Sequence, residues 1–206
     1  MKFIISGIGT DVGKTVASAI LAQALEATYW KPVQAGDLHF SDSMKVDEWT
    51  NDAVNILPER YRLNQPMSPH AAAQIDGVTI QTSDFQIPNI SGNLIIEGAG
   101  GLMVPVNTNG LLYIDLFQHW NLPVILVSRH YLGSINHTLL SVEALRSRNI
   151  TIAGIVYVGD QNPHTESIIS HVTQLRVIGR IPMSENVNTT FIEEQAAIFK
   201  SYFENE

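Results

Sequence analysis

Short apolar runs alternate with helical patterns along most of the chain. Phe3-Ile4-Ile5 lies in a strand predicted over residues 2–6. After a glycine-bearing turn, Val16, Ile20, Leu21 and Leu25 recur at the spacing of one buried helix face. Further strands are predicted over residues 28–33, 93–97, 124–128, 153–158 and 177–181. Helices fit residues 114–120, 135–148, 165–174 and 190–203. Leu94-Ile95-Ile96 and Val124-Ile125-Leu126-Val127 are unbroken apolar runs, as expected where helices cover both faces of a parallel sheet. Residues 36–89 are the least regular: Pro58, Pro66, Pro69 and Pro88 interrupt them, with a helix expected over 44–55 and a short turn over 71–73. The pattern predicts a mostly parallel α/β sheet with helices on both faces, in one domain spanning residues 1–206. In such sheets ligands gather at the carboxyl ends of strands, so polar residues there carry the most weight.

The first strand runs into Gly7-Ile8-Gly9-Thr10-Asp11-Val12-Gly13-Lys14-Thr15. A strand, a glycine turn and a helix beginning near Gly13 aim backbone N–H groups and a helix N-terminus into one small space, which suits phosphate oxygens. Lys14 would add a cation for the β- and γ-phosphates, and the Thr15 hydroxyl a ligand for Mg²⁺. Five residues, Ile8 to Val12, separate Gly7 from Gly13, where the standard phosphate loop has four. The alternative is an ordinary strand–helix connection, which leaves the Gly-Lys-Thr triplet unexplained.

Other strand ends are polar too. Glu97 closes the predicted third strand before Gly98-Ala99-Gly100-Gly101, which could offer a carboxylate to Mg²⁺ beside backbone that a ligand can approach. Lys31 precedes Pro32, which favours extended backbone and a well-directed side chain; beside Lys14 it could neutralise charge on a transferring phosphoryl group. By spacing alone, Asp42 between Ser41 and Ser43 reads as a helix cap, as do Asn136 and His137 at the start of a later helix.

Composition removes other chemistries. The chain has no cysteine, which excludes disulfides, thiolate metal sites and cysteine nucleophiles. Its seven histidines lack metal-ligand spacing, and no Gly-x-Ser-x-Gly elbow is present. A net charge of -8 without a basic run argues against a general grip on nucleic acid. No apolar stretch is long enough to span a bilayer, and the first strand leads directly into the glycine loop rather than forming a signal peptide. A cytoplasmic protein with no nucleic-acid or membrane partner is the expectation.

These residues, in this order, resemble the dethiobiotin synthetase family. The segments are Gly13-Lys14-Thr15-Val16-Ala17-Ser18, Lys31-Pro32-Val33-Gln34, Ser41-Asp42-Ser43, Ser68-Pro69-His70, Glu97-Gly98-Ala99-Gly100-Gly101, Pro123-Val124-Ile125-Leu126-Val127, Leu132-Gly133-Ser134-Ile135-Asn136-His137 and Ala153-Gly154-Ile155-Val156. The five-residue gap in the loop is a feature of that family. The resemblance implies a P-loop fold and a reaction in which CO₂ forms a carbamate on one amine of 7,8-diaminononanoate. ATP phosphorylates the carbamate, and the neighbouring amine closes a cyclic urea with release of ADP and phosphate.

By resemblance Lys14 and Lys31 are the catalytic cations, Lys31 between carbamate and γ-phosphate. Thr10, Asp11, Val12, Gly13, Lys14, Thr15 and Val16 would surround the nucleotide, as would Asp42 and Glu97 through Gly98, Ala99 and Gly100. Thr15, Asp42 and Glu97 would hold Mg²⁺, an oxygen-only set that suits it, so the resemblance turns Asp42 from cap to ligand. Asn136 matches a position that grips the substrate carboxylate across a subunit boundary, which implies a homodimer. Two departures stand out. Ala35 occupies a substrate-side position where the family usually carries a hydroxyl, removing a hydrogen bond worth about 1 kcal/mol. Val158, followed by Gly159, stands where many members read the adenine edge with asparagine, which leaves the base preference open.

The rival reading is a dimeric switch ATPase of the partitioning class. Such proteins usually carry a second lysine in the loop, and Ile8 to Val12 hold none. A GTP switch would need an Asn-Lys-x-Asp reader, which Val156-Tyr157-Val158-Gly159-Asp160 does not supply.

Overall fold

A computed structural model describes residues 1–204, so the last two residues of the expected 1–206 domain lie outside the described residues. The elements run β1 (Lys2–Gly7), α1 (Lys14–Ala24), β2 (Thr28–Trp30), β3 (Val33–Ala35), α2 (Asp42–Thr50), β4 (Ile56–Leu57), β5 (Tyr61–Leu63) and α3 (Pro69–Ile75). A single 3₁₀ turn (Thr82–Asp84) precedes β6 (Leu94–Glu97), α4 (Tyr113–Trp120), β7 (Val124–Arg129), α5 (Ser134–Ser147), β8 (Ile152–Val158), α6 (Pro163–Thr173), β9 (Val177–Ile181) and α7 (Thr189–Glu204).

Seven strands form one parallel sheet in the order β4-β2-β6-β1-β7-β8-β9. β1 lies at its centre, with β6 on one side (Ile5 beside Glu97) and β7 on the other (Ile4 beside Val124). The chain winds toward β2 and β4 on one side and toward β8 and β9 on the other. The carboxyl end of β1 is therefore the point where strand order reverses, the place where such sheets open a crevice.

Side-chain alternation along β1 builds a core on each face. Phe3 and Ile5 join the layer under α1 and α7, with Ile20, Leu21, Ile192 and Phe199. Ile4 faces the opposite layer, with Ile96, Ile114, Phe117 and Trp120. α1 is buried more widely than one stripe, because α2 and α7 both pack on it: Ala19 and Ala22 are as enclosed as Ile20.

Three expectations are corrected. The strand foreseen over 28–33 breaks at Lys31-Pro32. Proline donates no ladder hydrogen bond, and the Pro32 carbonyl instead accepts from the N–H groups of Arg60 (2.8 Å) and Tyr61 (3.0 Å). β3 then leaves the main sheet and pairs in parallel with β5. The helix foreseen over 44–55 starts at Asp42 and stops at Thr50, where Asn51 and Asp52 turn left-handed at φ 49° and 58°. The turn foreseen over 71–73 is the two-turn helix α3, entered through Pro69 at its first position.

Candidate active site

The crevice beyond β1 is a cavity of about 680 Å³. Its floor is the loop from Gly7 to the start of α1. Gly13 stands at φ 92°, and a Cβ there would come within 3.2 Å of the Val158 side chain. Glycine therefore serves both the left-handed turn and the close packing. As the N-cap of α1, Gly13 brings no side chain, and the first turn holds no acid, so the first N–H groups are left for a ligand. Lys14 folds back over the loop and donates to the Gly9 carbonyl at 2.8 Å. Burial pushes its ammonium down to about 8, only partly opposed by the Glu97 carboxylate.

Opposite the loop, four groups from four elements meet. Lys31, just past β2, donates to Glu97 Oε1 at 3.0 Å and also to Asp42 Oδ2. Thr15, in the first turn of α1, donates to the same Glu97 oxygen at 3.0 Å. Burial alone would lower the Lys31 ammonium, yet the Glu97 and Asp42 carboxylates outweigh it and hold it above its ordinary value. Asp42 is held below the ordinary carboxylate range: its burial is overridden by Lys31 and then Lys45, which donates to Oδ1 at 3.2 Å.

Asp42 is not the cap that spacing suggests. Ser41 is the N-cap, its hydroxyl accepting from Met44 N at 3.4 Å, and Asp42 is the first helical residue with its carboxylate turned to the cavity. Of the residues singled out from sequence, Thr10, Asp11, Gly13, Lys14, Thr15, Val16, Lys31, Ala35, Asp42, Glu97, Ala99 and Gly100 line this one cavity. Val12 lies buried in the core beneath the loop, and Gly98 sits against Phe117. Asn136 is exposed on α5, away from the cavity lining.

Several contributors, or the contacts they make, escaped the sequence reading. Lys45 lies one helical turn beyond Asp42, a spacing that places both on one face. Gln34 accepts from Asp42 N at 3.2 Å and donates to the Gly36 carbonyl at 2.9 Å, tying α2 to β3. Tyr29, two residues before Lys31, donates to Glu97 Oε2 at 2.9 Å. Asp37 and Met67 also line the wall from irregular segments, and Trp49 does so from within the helix expected over 44–55.

The donor chemistry fits a hard divalent cation. One hydroxyl and two carboxylates share the neighbourhood of Lys31, whereas no cluster of three or more histidine, aspartate or glutamate side chains that could hold a metal occurs among the described residues. Such a partial set matches Mg²⁺, which is usually bound through one or two carboxylates and completed by substrate phosphates and water.

Comparison with known proteins places the chain in a family. Residues 1–190 match the model of a family described as an AAA domain. The chain is 50% identical over 206 residues to an ATP-dependent dethiobiotin synthetase of Rhodopseudomonas palustris (strain BisB18), covering 100% of this chain and 97% of that protein. It is 50% identical over 200 residues to the enzyme of that name from Christiangramia forsetii, covering 97% and 96%. Among solved structures, a plasmid partition protein from Borrelia burgdorferi B31 bound to AMPPNP superposes with a TM-score of 0.61 at 11% identity, covering 98% and 96%. The septum site-determining protein MinD from Pyrococcus horikoshii, complexed with Mg-ADP, gives 0.59 at 15% identity, covering 100% and 96%. At such identities the two structures share the fold alone. Among the described residues no helix is long and apolar enough to cross a membrane.

Proposed function

The chain belongs to the dethiobiotin synthetase family, and we propose that it performs the family's ATP-dependent ring closure with Lys31 as its central electrostatic catalyst. The reaction joins 7,8-diaminononanoate and CO₂ into dethiobiotin. A carbamate oxygen attacks the γ-phosphorus of ATP, ADP leaves, and the neighbouring amine displaces phosphate from the mixed anhydride to close the urea.

One observation carries the residue assignment. A buried lysine is held protonated by two carboxylates at the mouth of a phosphate loop that already holds a second lysine. The attacking carbamate is an anion and needs no general base, so the protein mainly aligns it with the γ-phosphoryl group and offsets negative charge. Lys14 and the first N–H groups of α1 hold the β- and γ-phosphates. Lys31 stands between carbamate and γ-phosphate. Thr15, Asp42 and Glu97 would hold Mg²⁺, which would supply further neutralisation of the transferring group when bound. Val158 offers the base no hydrogen bond, and the Gly159 and Asp160 carbonyls beside it already accept from Arg180 at 3.2 and 3.3 Å. The loop therefore holds ATP by its phosphates more than by its base.

The working form is a homodimer. Leu132 is fully exposed, Ile135 and Leu140 present further apolar surface on α5, which also carries the exposed Asn136, and Ile168 and Val172 do so on α6. A second copy covering this face buries those side chains and carries Asn136 to a neighbouring cavity, where it can take the substrate carboxylate.

The test is phosphate release from MgATP with and without diaminononanoate plus bicarbonate, with dethiobiotin followed by mass. Release that needs both co-substrates and yields dethiobiotin supports the assignment. Release indifferent to them would favour the switch-ATPase reading, which shares this fold.

A further inference from the structure

Glu97 is fully buried and accepts from three donors, but not all of them belong to the cavity. Thr15 and Lys31 both reach Oε1, and both line the cavity. Tyr29 reaches Oε2 from the core, where its ring is 0% exposed and absent from the cavity lining. We propose that Tyr29 is a positioning residue that holds Glu97 so that a single oxygen, Oε1, faces the cation. The inference rests on the reading of Glu97 as a metal-facing carboxylate.

The sheet register explains the reach. Tyr29 pairs with Ile95 on the adjacent parallel strand, and Glu97 follows Ile95 on the same face. The Tyr29 ring therefore lies along the side of β6 that leads to the carboxylate. A buried carboxylate oxygen requires a partner. Without Tyr29, Oε2 could gain one by rotating toward Lys31, which would replace the one-oxygen presentation to the cation with a two-oxygen grip on the lysine. Phenylalanine at this position fills nearly the same volume and removes only the donor.

The experiment compares wild type, Tyr29→Phe and Glu97→Gln by calorimetry of ADP in MgCl₂ and in EDTA, together with MgCl₂ titrations of turnover. Tyr29→Phe is expected to weaken ADP binding about tenfold in MgCl₂ and to raise half-maximal MgCl₂ by a similar factor, with ADP affinity in EDTA unchanged. A purely packing role would lower the thermal midpoint and leave both ADP affinities alone; that result overturns the inference. Should Glu97→Gln shift the Mg²⁺ dependence while Tyr29→Phe does not, the inference about Tyr29 falls by itself. An unshifted Glu97→Gln overturns the metal-facing reading and the inference together. If Tyr29→Phe does not fold, Tyr29→Phe/Glu97→Ala decides: recovery of the folded state supports partnership with the carboxylate, and no recovery overturns it.

Discussion

ADP binding measured across a range of pH is expected to perturb the protonation of Lys14. In the free protein Lys14 is 7% exposed, and among the described residues its ammonium has only the Gly9 carbonyl as a hydrogen-bond partner, at 2.8 Å. Desolvation, partly opposed by Glu97 and reinforced by Lys31, brings it from 10.5 down to about 8. Phosphate oxygens brought against the ammonium act in the opposite direction, and an opposite charge at contact typically restores one to three pH units. A restoration of two to three units within that range brings the bound lysine to about 10 or above. Near pH 9 the free lysine carries roughly 0.1 proton and the bound one nearly a whole proton, so ADP takes up about 0.9 proton; near pH 8 uptake is about 0.5, and near pH 7 about 0.1. Affinity accordingly falls about tenfold between pH 7 and 9, or about 1.4 kcal/mol. Isothermal calorimetry in two buffers of different ionisation enthalpy reads the uptake directly. Phosphate groups lose their last proton near about pH 6 and are silent in this window. Lys14→Arg keeps its charge at every accessible pH and is expected to bind without uptake. Uptake below roughly 0.2 proton near pH 9, with flat affinity, would refute the reasoning, because Lys14 would then be fully charged before the ligand arrives.

Other consequences of the site follow. Lys31→Ala is expected to lower single-turnover phosphoryl transfer by about 10³ while retaining the fold by circular dichroism; wild-type turnover would remove Lys31 from the mechanism. GTP and CTP are expected to support dethiobiotin formation within about tenfold of ATP, since an apolar Val158 cannot impose the roughly 10⁴ discrimination of a hydrogen-bonding reader; phosphate release with each nucleotide checks it. Asp42 is held below its ordinary 3.8, and a depressed carboxylate adds stability above that value that is lost as pH falls through the lower, folded one. Asp42→Asn should flatten the acid limb of the thermal midpoint against pH, and an unchanged limb would show that the Lys31 pairing adds no stability.

The phosphate loop was legible because its signals are local. An apolar run, two glycines and Gly-Lys-Thr lie within one strand–turn–helix unit, and Glu97 was marked by the strand that ends on it. What failed to show was non-local. β3 and β5 are three residues each and pair with each other across a long stretch of chain, so neither has an apolar run to announce it. Ser41, Asp42 and Ser43 are all competent caps, and only the folded helix shows that Ser41 takes the role and releases Asp42. Tyr29 falls within the strand predicted over 28–33, and its hydroxyl acquires a purpose only when β6 is laid beside β2.

On the proposed role of Lys31, the same juxtaposition explains how a catalytic lysine can be buried. Removed from water by itself, Lys31 would tend to lose its proton, as Lys14 partly does. Asp42 and Glu97 reverse that tendency and fix the ammonium from two sides, one carboxylate carried by α2 and the other by β6. Tyr29 and Gln34 in turn hold those two residues from outside the exchange of charge, through Glu97 Oε2 and the Asp42 N–H. The cation is thus charged and aimed before substrate enters, and little reorganisation remains when negative charge moves from ATP toward the carbamate. A lysine on a flexible surface loop would have the same formal charge, but water would screen it and its side chain would have to be ordered during the reaction.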